Sequence, residues 1–296
     1  MRTAMLLGAG FSKWAADVPV ASELFDFAIV VSTRDERKLG IVKSAKTGWD
    51  YRHPGTHSEK FISHVLQNRG ELQRSALLWY VTRRLSEPFM WYASYGGARR
   101  RRTLGIDEPY KRHLPGIERA RQFIGRQMDS PLVGIITTNY DLLVEYALGS
   151  RGFRYERVNE VLHGAGAHPR RRSPIVLSGS LPYAKLHGSI SWDGNRRYAD
   201  GRRAITGNAL IVAPTPEKEP HPALAAVWQL SASILQSAER IIVFGFAFNP
   251  YDTAVLSHLS GEARDVRLVE IVDPMPQTAR AQRVWPSAEI VSWEPP

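Results

Sequence analysis

The chain has 296 residues, with 39 Lys and Arg against 29 Asp and Glu, and it contains no cysteine. Hydrophobic residues make up 43% and charged residues 23%, which is typical of a globular protein with a buried core. The lack of cysteine excludes disulfides, iron–sulfur clusters, thiolate catalysis and cysteine-ligated zinc.

The longest apolar runs are Ala76–Val81 and Ile241–Ala247, both far shorter than the roughly 20 residues of a membrane-spanning helix. From Met1 the chain runs directly into a glycine turn at Gly8, without the pattern of a cleavable leader. We therefore expect a cytoplasmic protein that does not enter a membrane.

The formal net charge is +10 and the sequence pI is near 9.9, which favours an anionic ligand or partner. Arginine clusters lie at 99–102, 170–172, 196–197 and 202–203. They fit either solvated loops or a surface that binds phosphate groups or a partner protein, and charge alone does not decide between the two.

Short apolar runs alternate with amphipathic stretches, and this alternation predicts an α/β fold with a parallel sheet. The predicted strands are, in chain order, Met5–Leu7, Leu132–Ile136, Tyr183–Leu186, Leu210–Val212, Ile241–Phe244, Arg267–Val272 and Ala288–Val291. A helix capped by Ser58 is predicted from the apolar positions of 61–66, and another from those of 224–238.

Between about residues 34 and 129 the pattern contains no strand-like runs, and helical stretches alternate with basic loops that carry Tyr and Trp. We interpret this segment as a mostly helical insertion after the first βα unit. The whole chain, 1–296, is then a single domain. Its Rossmann-type core covers about 1–33 and 130–296, with helices on both faces of the sheet.

A glycine turn, GAGFSK at residues 8–13, follows the first predicted strand. Glycines at this place allow a tight turn and a close approach of the backbone to a pyrophosphate, which a helix N-terminus stabilises. The segment matches neither GxGxxG nor GxxxxGK[ST], so a plain strand–helix turn remains the alternative interpretation.

Polar groups also stand at the ends of the later strands, at 137–141 (TTNYD), 187–189 (HGS), 245–252 (GFAFNPYD) and Asp273. Each has an ordinary structural interpretation, because Asn139 or Asp141 would cap a helix and Asp273 would begin a turn. His187 would likewise be a turn residue. Since ligands of open parallel sheets bind at the carboxyl ends of the strands, these groups are predicted to meet at one site.

In chain order, the segments GAGFS, TTNYD, KLHGS, GFAF and IVDP resemble the motifs of the sirtuin family. Sirtuins carry GAGxS, TQNxD and HG in this order, followed by a glycine turn and a ribose-contacting strand end. The resemblance extends from Gly8 to Asp273. It is closer still to the divergent sirtuin-like NADases of prokaryotic antiphage defence, which continue the first motif as GAGFSK and carry an FNPYD-like turn.

The departures from the deacylase pattern carry information. Protein-deacylating sirtuins have a four-cysteine zinc module, which this chain lacks. The segment after the first motif keeps Pro19 but lacks Phe-Arg, Thr138 replaces the glutamine of TQN, and Ala247 replaces the serine of GTS. Because the peptide cleft of a deacylase lies beside the zinc module, the resemblance disfavours acyl-lysine chemistry and favours hydrolysis of NAD.

The resemblance implies cleavage of the nicotinamide–ribose bond of NAD to nicotinamide and ADP-ribose, with cyclisation as a second route. Asn139 would hold the water and a ribose hydroxyl, His187 would orient or deprotonate one of them, and Asp141 would orient the nicotinamide pocket. The expected NAD-binding residues are Gly8, Ala9, Gly10 and Ser12 at the pyrophosphate, Gly245 and Asp273 at the adenosine side, and Thr138, Gly188 and Asp252 elsewhere in the motifs. No metal is expected, because His163 and His168 lie in a glycine-containing loop without clustered carboxylates.

The same resemblance implies an effector of antiphage abortive infection that depletes NAD. Such an enzyme would be controlled by homo-oligomerisation or by a partner, such as a HerA-class ATPase or an Argonaute-like protein, and would meet nucleic acid only through that partner. Three other functions remain open. They are an NAD-dependent protein deacylase or ADP-ribosyltransferase, a non-catalytic NAD or ADP-ribose sensor, and a nucleic-acid-binding protein driven by the positive charge.

Overall fold

A computed structural model describes residues 1–95, 98–103, 114–149, 152–154, 181–193, 209–212 and 222–296, with only the backbone described over 91–103. The arginine clusters at 170–172, 196–197 and 202–203, and the histidines His163 and His168, lie outside the described residues. None of the described helices is both long and apolar enough to cross a membrane.

The centre of the fold is a parallel sheet. The strands of the described residues are β1 (Thr3–Leu7), β2 (Met90–Tyr95), β3 (Ala98–Thr103), β4 (Leu132–Thr137), β5 (Phe153–Arg154), β6 (Leu181–Lys185), β7 (Gly188–Asp193), β8 (Ala209–Ile211), β9 (Arg240–Phe244), β10 (Leu268–Val272) and β11 (Glu289–Trp293). Seven of them form one sheet in the order β11-β10-β9-β1-β4-β6-β5, with every neighbouring pair parallel. The predicted α/β class with a parallel sheet is confirmed.

Helices lie on both faces of this sheet, as predicted. They are α1 (Ala9–Ala16), α2 (Thr33–Arg52), α3 (Ser58–Asn68), α4 (Glu71–Ser86), α5 (Pro115–Gln127), α6 (Leu143–Leu148), α7 (Ala225–Ser237), α8 (Thr253–Glu262) and α9 (Thr278–Val284). Because side chains alternate along β1, Met5 and Leu7 enter a core shared with α1 to α6, whereas Ala4 and Leu6 enter a second core with α7 to α9.

The segment between the first two strands of the main sheet contains α2 to α5, which fits the predicted helical character, but it also contains a hairpin. In this hairpin β2 pairs antiparallel with β3, and the arginine cluster 99–102 lies opposite 91–94. The expectation that this segment has no strands was therefore wrong. Aromatic residues favour a strand over 90–95. The run of arginines that follows is also compatible with a solvated loop, and for this reason the sequence pattern did not predict a hairpin.

The predicted strand Leu210–Val212 is also placed differently. Residues Ala209–Ile211 form β8, which pairs antiparallel with β7 in a separate two-stranded sheet instead of joining the main sheet. A run of three apolar residues has no periodicity that distinguishes these two environments. The pairing matters for the site, because β7 begins directly after His187.

A buried ion pair ties β6 to α6. Lys185 Nζ lies 2.7 Å from Glu145 Oε1, both side chains are fully buried, and the same ammonium donates to the backbone oxygen of Asp141. Tyr183 OH lies 3.4 Å from Glu145 Oε2. Each charge is thus satisfied by polar partners, as burial requires.

We expect Lys185→Met to destabilise the protein by about 3–5 kcal/mol, because it leaves the carboxylate of Glu145 buried without a cation. Urea unfolding followed by circular dichroism measures this loss. Lys13→Met is the control, since Lys13 pairs with Asp17 and Glu23 at the surface and such pairs contribute at most about 1 kcal/mol. Equal losses in the two variants would contradict a special role for the buried pair.

Candidate functional site

A pocket of about 630 Å³ opens at the carboxyl ends of β1, β4, β6 and β9. The predicted site residues that line it are Ala9, Gly10, Ser12, Thr138, Asn139, Asp141, His187, Gly245 and Asp252. Gly8, Gly188 and Asp273 do not line it. The structure thus brings together groups that are distant in sequence, at the edge of the sheet where ligands of open α/β folds bind.

Glycines make the floor of this pocket, because two turns meet there backbone to backbone. The N–H of Gly10 donates to the oxygen of Gly245 at 3.0 Å. A Cβ on Gly8 would lie 2.3 Å from that oxygen, and Gly245 has a φ of +60°, a value that favours glycine. The amide of Gly10 is therefore already bonded, whereas within the described residues the amide of Ala9 has no acceptor.

Asn139 joins β4 to the turn after β1. Its Nδ2 donates to the oxygen of Gly8 at 2.8 Å and to Ser12 Oγ at 3.0 Å, while its backbone N–H donates to Thr137 Oγ1 at 3.0 Å. No donor among the described residues reaches its Oδ1, which is available to a ligand or a water. Asp141 bonds locally, because its Oδ1 accepts the N–H of Leu143, the first residue of α6, at 2.9 Å.

His187 also lines the pocket and is almost fully buried, with 2% of its surface exposed. Its Nε2 lies 3.1 Å from Asp252 Oδ2, which is ion-pair distance but outside the alignment of a hydrogen bond. The next residue, Gly188, has a φ of +84°, and a Cβ there would lie 2.1 Å from the oxygen of Leu210. This glycine turns the chain into β7 and so fixes the direction of the imidazole.

Tyr140 lies beside the imidazole, with its ring centre 6.2 Å from that of His187. Its hydroxyl donates to the oxygen of Val212 at 3.0 Å. Burial, together with the negative charges of Glu59 and Asp252, raises the pKa of Tyr140 well above its ordinary value. The phenol is therefore a neutral hydrogen-bond donor at every physiological pH.

Asp273 stands at the end of β10 but contacts its own turn. Its Oδ1 accepts the N–H of Met275 at 2.8 Å, which is the structural alternative considered for this residue. Within the described residues no group of three or more His, Asp or Glu side chains has the arrangement of a metal site.

Sequence reasoning missed the part of the pocket wall that comes from 18–24 and from the helical segment. His57, Glu59 and Ile62 reach the pocket from the start of α3, and Arg280 reaches it from α9. Asn249 Nδ2 donates to Glu59 Oε2 at 3.0 Å. No local motif marks Glu59, because an acidic residue in the first turn of a helix is ordinary in its own right.

The fold is that of a doubly wound α/β protein, and its pocket lies at the carboxyl edge of the sheet. Residues 133–249 match the family model of the SIR2-like domain, a stretch that contains the TTNYD, HGS and GFAF segments. The match supports the predicted sirtuin-like resemblance over this part of the chain.

Solved Sir2 structures align with almost the whole chain at low identity. A Sir2 protein in complex with an inhibitor, 2'-O-acetyl-ADP-ribose and a deacetylated p53 peptide has 14% identity and a TM-score of 0.40, covering 99% of this chain and 87% of that one. A Sir2 homologue in complex with NAD has 13% identity and a TM-score of 0.37, covering 98% and 83%. No curated protein sequence matches the chain significantly.

Gly245→Ala is expected to lower the free energy of unfolding by at least about 3 kcal/mol, because alanine is strained at positive φ and its Cβ would lie 2.4 Å from Gly10 Cα. Thermal and urea unfolding measure the change. Gly261→Ala in α8 is the matched control. Its Cβ would meet nothing within 4 Å, so this change should be neutral or stabilise by up to about 1 kcal/mol. A tolerated alanine at 245 would contradict the packing described for the pocket floor.

Proposed function

We propose that the protein is an NAD glycohydrolase that cleaves the nicotinamide–ribose bond and releases nicotinamide and ADP-ribose. The observation that carries this proposal is the pairing, across one pocket, of an asparagine with an unbonded Oδ1 and a buried histidine backed by Asp252. The SIR2-like match over 133–249 supports NAD as the ligand. Cytoplasmic location and a single-domain organisation belong to the same proposal.

The pocket suits a dinucleotide in size, since its volume of about 630 Å³ falls in the range of small-molecule sites. In the proposed complex the amide of Ala9 and the hydroxyl of Ser12 bind the pyrophosphate at the start of α1. Gly245 and Ala247 leave room for the adenosine side. Asp273, which is bonded within its own turn, has the weakest support among the proposed binding residues.

Nicotinamide leaves as a neutral base, so the chain needs to supply little acid catalysis. In the proposed mechanism the Oδ1 of Asn139 accepts a hydrogen bond from the attacking water or a ribose hydroxyl. His187 accepts a proton from one of these groups, and the carboxylate of Asp252 stabilises the imidazolium that results. Asp141 accepts the N–H of Leu143 and thereby orders the turn between Asn139 and α6.

We further propose that this activity serves antiphage abortive infection, with homo-oligomerisation or a partner such as a HerA-class ATPase as the control. A freely active NADase would deplete the NAD of its own cell, so some restraint is required. The helical segment is suited to receive it, because α3 borders the pocket directly.

Release of nicotinamide and ADP-ribose from NAD by the purified protein tests the activity, measured by chromatography at several protein concentrations because an oligomer-gated enzyme is inactive when dilute. Asn139→Ala and His187→Ala should each lower kcat/KM by about 100-fold or more. His53→Ala, which changes an exposed histidine at the end of α2, should be nearly silent. Because Asn139 bonds Gly8 and Ser12, its variant should also lose about 1–2 kcal/mol of stability, which melting curves check.

Four results would contradict the assignment. Retention of activity by Asn139→Ala would exclude the proposed mechanism. Tight NAD binding without cleavage at any concentration would instead favour a sensor, and release that requires an acyl-lysine peptide would favour a deacylase. Absence of NAD binding would remove the proposal altogether.

A further inference from the structure

The turn at 247–252 is held from two sides. Phe248 has a φ of +47°, in the left-handed region that costs a residue with a side chain roughly 1–2 kcal/mol, so the turn needs support from its surroundings. On one side Arg280 Nη1 donates to the oxygen of Ala247 at 3.0 Å. On the other side Asn249 Nδ2 donates to Glu59 Oε2 at 3.0 Å.

Asn249 also forms hydrogen bonds with the end of the turn. Its Oδ1 accepts the N–H of Tyr251 at 3.1 Å, and its backbone oxygen accepts the N–H of Asp252 at 2.9 Å. Asp252 in turn places its Oδ2 3.1 Å from Nε2 of His187, and the two side chains are only 5% and 3% exposed. A continuous series of polar contacts therefore runs from Glu59 to the imidazole.

Glu59 enters this series from outside the sheet. It lies in the first turn of α3, in the helical segment between β1 and β4, and it lines the pocket without belonging to any of the sequence motifs. Glu59 and Asp252 both line the same pocket, and the negative charge of each contributes to the raised pKa of Tyr140.

We propose that Glu59 is a positioning residue for His187, acting through Asn249 and Asp252. The carboxylate oxygen holds the amide of Asn249, the amide orders the turn, and the turn presents Asp252 to the imidazole. The helical segment thereby sets the orientation of His187, and a movement of α3 would alter catalysis through this residue as well as through the pocket wall that α3 forms. This inference deepens the proposed NAD glycohydrolase and depends on it for the kinetic readout.

Glu59→Ala should lower kcat for NAD hydrolysis by about 10- to 100-fold, since small misplacements of a catalytic group have effects of this size. Glu59→Gln should retain most of the activity, because its amide oxygen still accepts the hydrogen bond from Asn249. Gln67→Ala, at an exposed position of the same helix, is the matched control and should be silent. If Glu59→Gln is as impaired as Glu59→Ala, the charge itself is required and the positioning role is overturned.

A double-mutant cycle with Asn249→Ala tests whether Glu59 acts through that residue. The double variant should be no slower than Asn249→Ala alone, because the second change removes a contact that has already lost its partner. Fold losses that multiply would show independent effects and would overturn the proposal.

Amide hydrogen exchange gives a readout that does not need activity. In the intact protein without NAD, the amides of Tyr251 and Asp252 should exchange at least about tenfold faster in Glu59→Ala than in the wild type, and at the wild-type rate in Glu59→Gln. If this result is obtained while the wild type does not cleave NAD, the proposed function fails and the positioning stands. Unchanged exchange in Glu59→Ala would overturn the positioning whatever the activity.

Discussion

The pocket depends on the contact between two glycine turns, those after β1 and β9. The N–H of Gly10 donates to the oxygen of Gly245. The two turns lie so close together that there is no room for a Cβ on Gly8, Gly10 or Gly245. Asn139 extends the same framework by donating to the oxygen of Gly8. The segments after β1, β4 and β9 are thus held together by hydrogen bonds to main-chain atoms. Main-chain positions vary less than side-chain positions, so a site built in this way is preorganised.

Two polar contacts made by neighbouring residues, Lys185 and His187, differ in how completely they are hydrogen-bonded. Lys185, at the end of β6, is fully buried and bonded to both Glu145 and the backbone of Asp141. His187, two residues later, meets Asp252 at 3.1 Å without the alignment of a hydrogen bond. In the first contact both charged groups have hydrogen-bond partners, which suits a structural role. The second leaves Nε2 of His187 without a hydrogen-bond partner among the described residues.

Much of the architecture was accessible from the sequence, because buried strands appear as apolar runs and the groups after them must share one edge of a parallel sheet. The meeting of Asn139 and His187 at one pocket was predicted in this way. Glu59 was not, since only tertiary packing brings α3 to the pocket. For Asp273 the sequence suggested a ligand contact, whereas the side chain bonds its own turn. An aspartate that contacts a ribose and one that bonds its own turn have the same sequence pattern. The strand Ala209–Ile211 was too short to reveal its antiparallel partner.

The strand order has a consequence for how the chain folds. β1 lies between β4 and β9, so its five buried residues find their two neighbours only at residues 132–137 and 240–244. Contacts of such large sequence separation slow folding, because loop closure precedes any gain from pairing. During synthesis the segment 3–7 has no complete set of strand partners until most of the chain has emerged. In that interval it is an aggregation-prone strand that chaperones would be expected to shield.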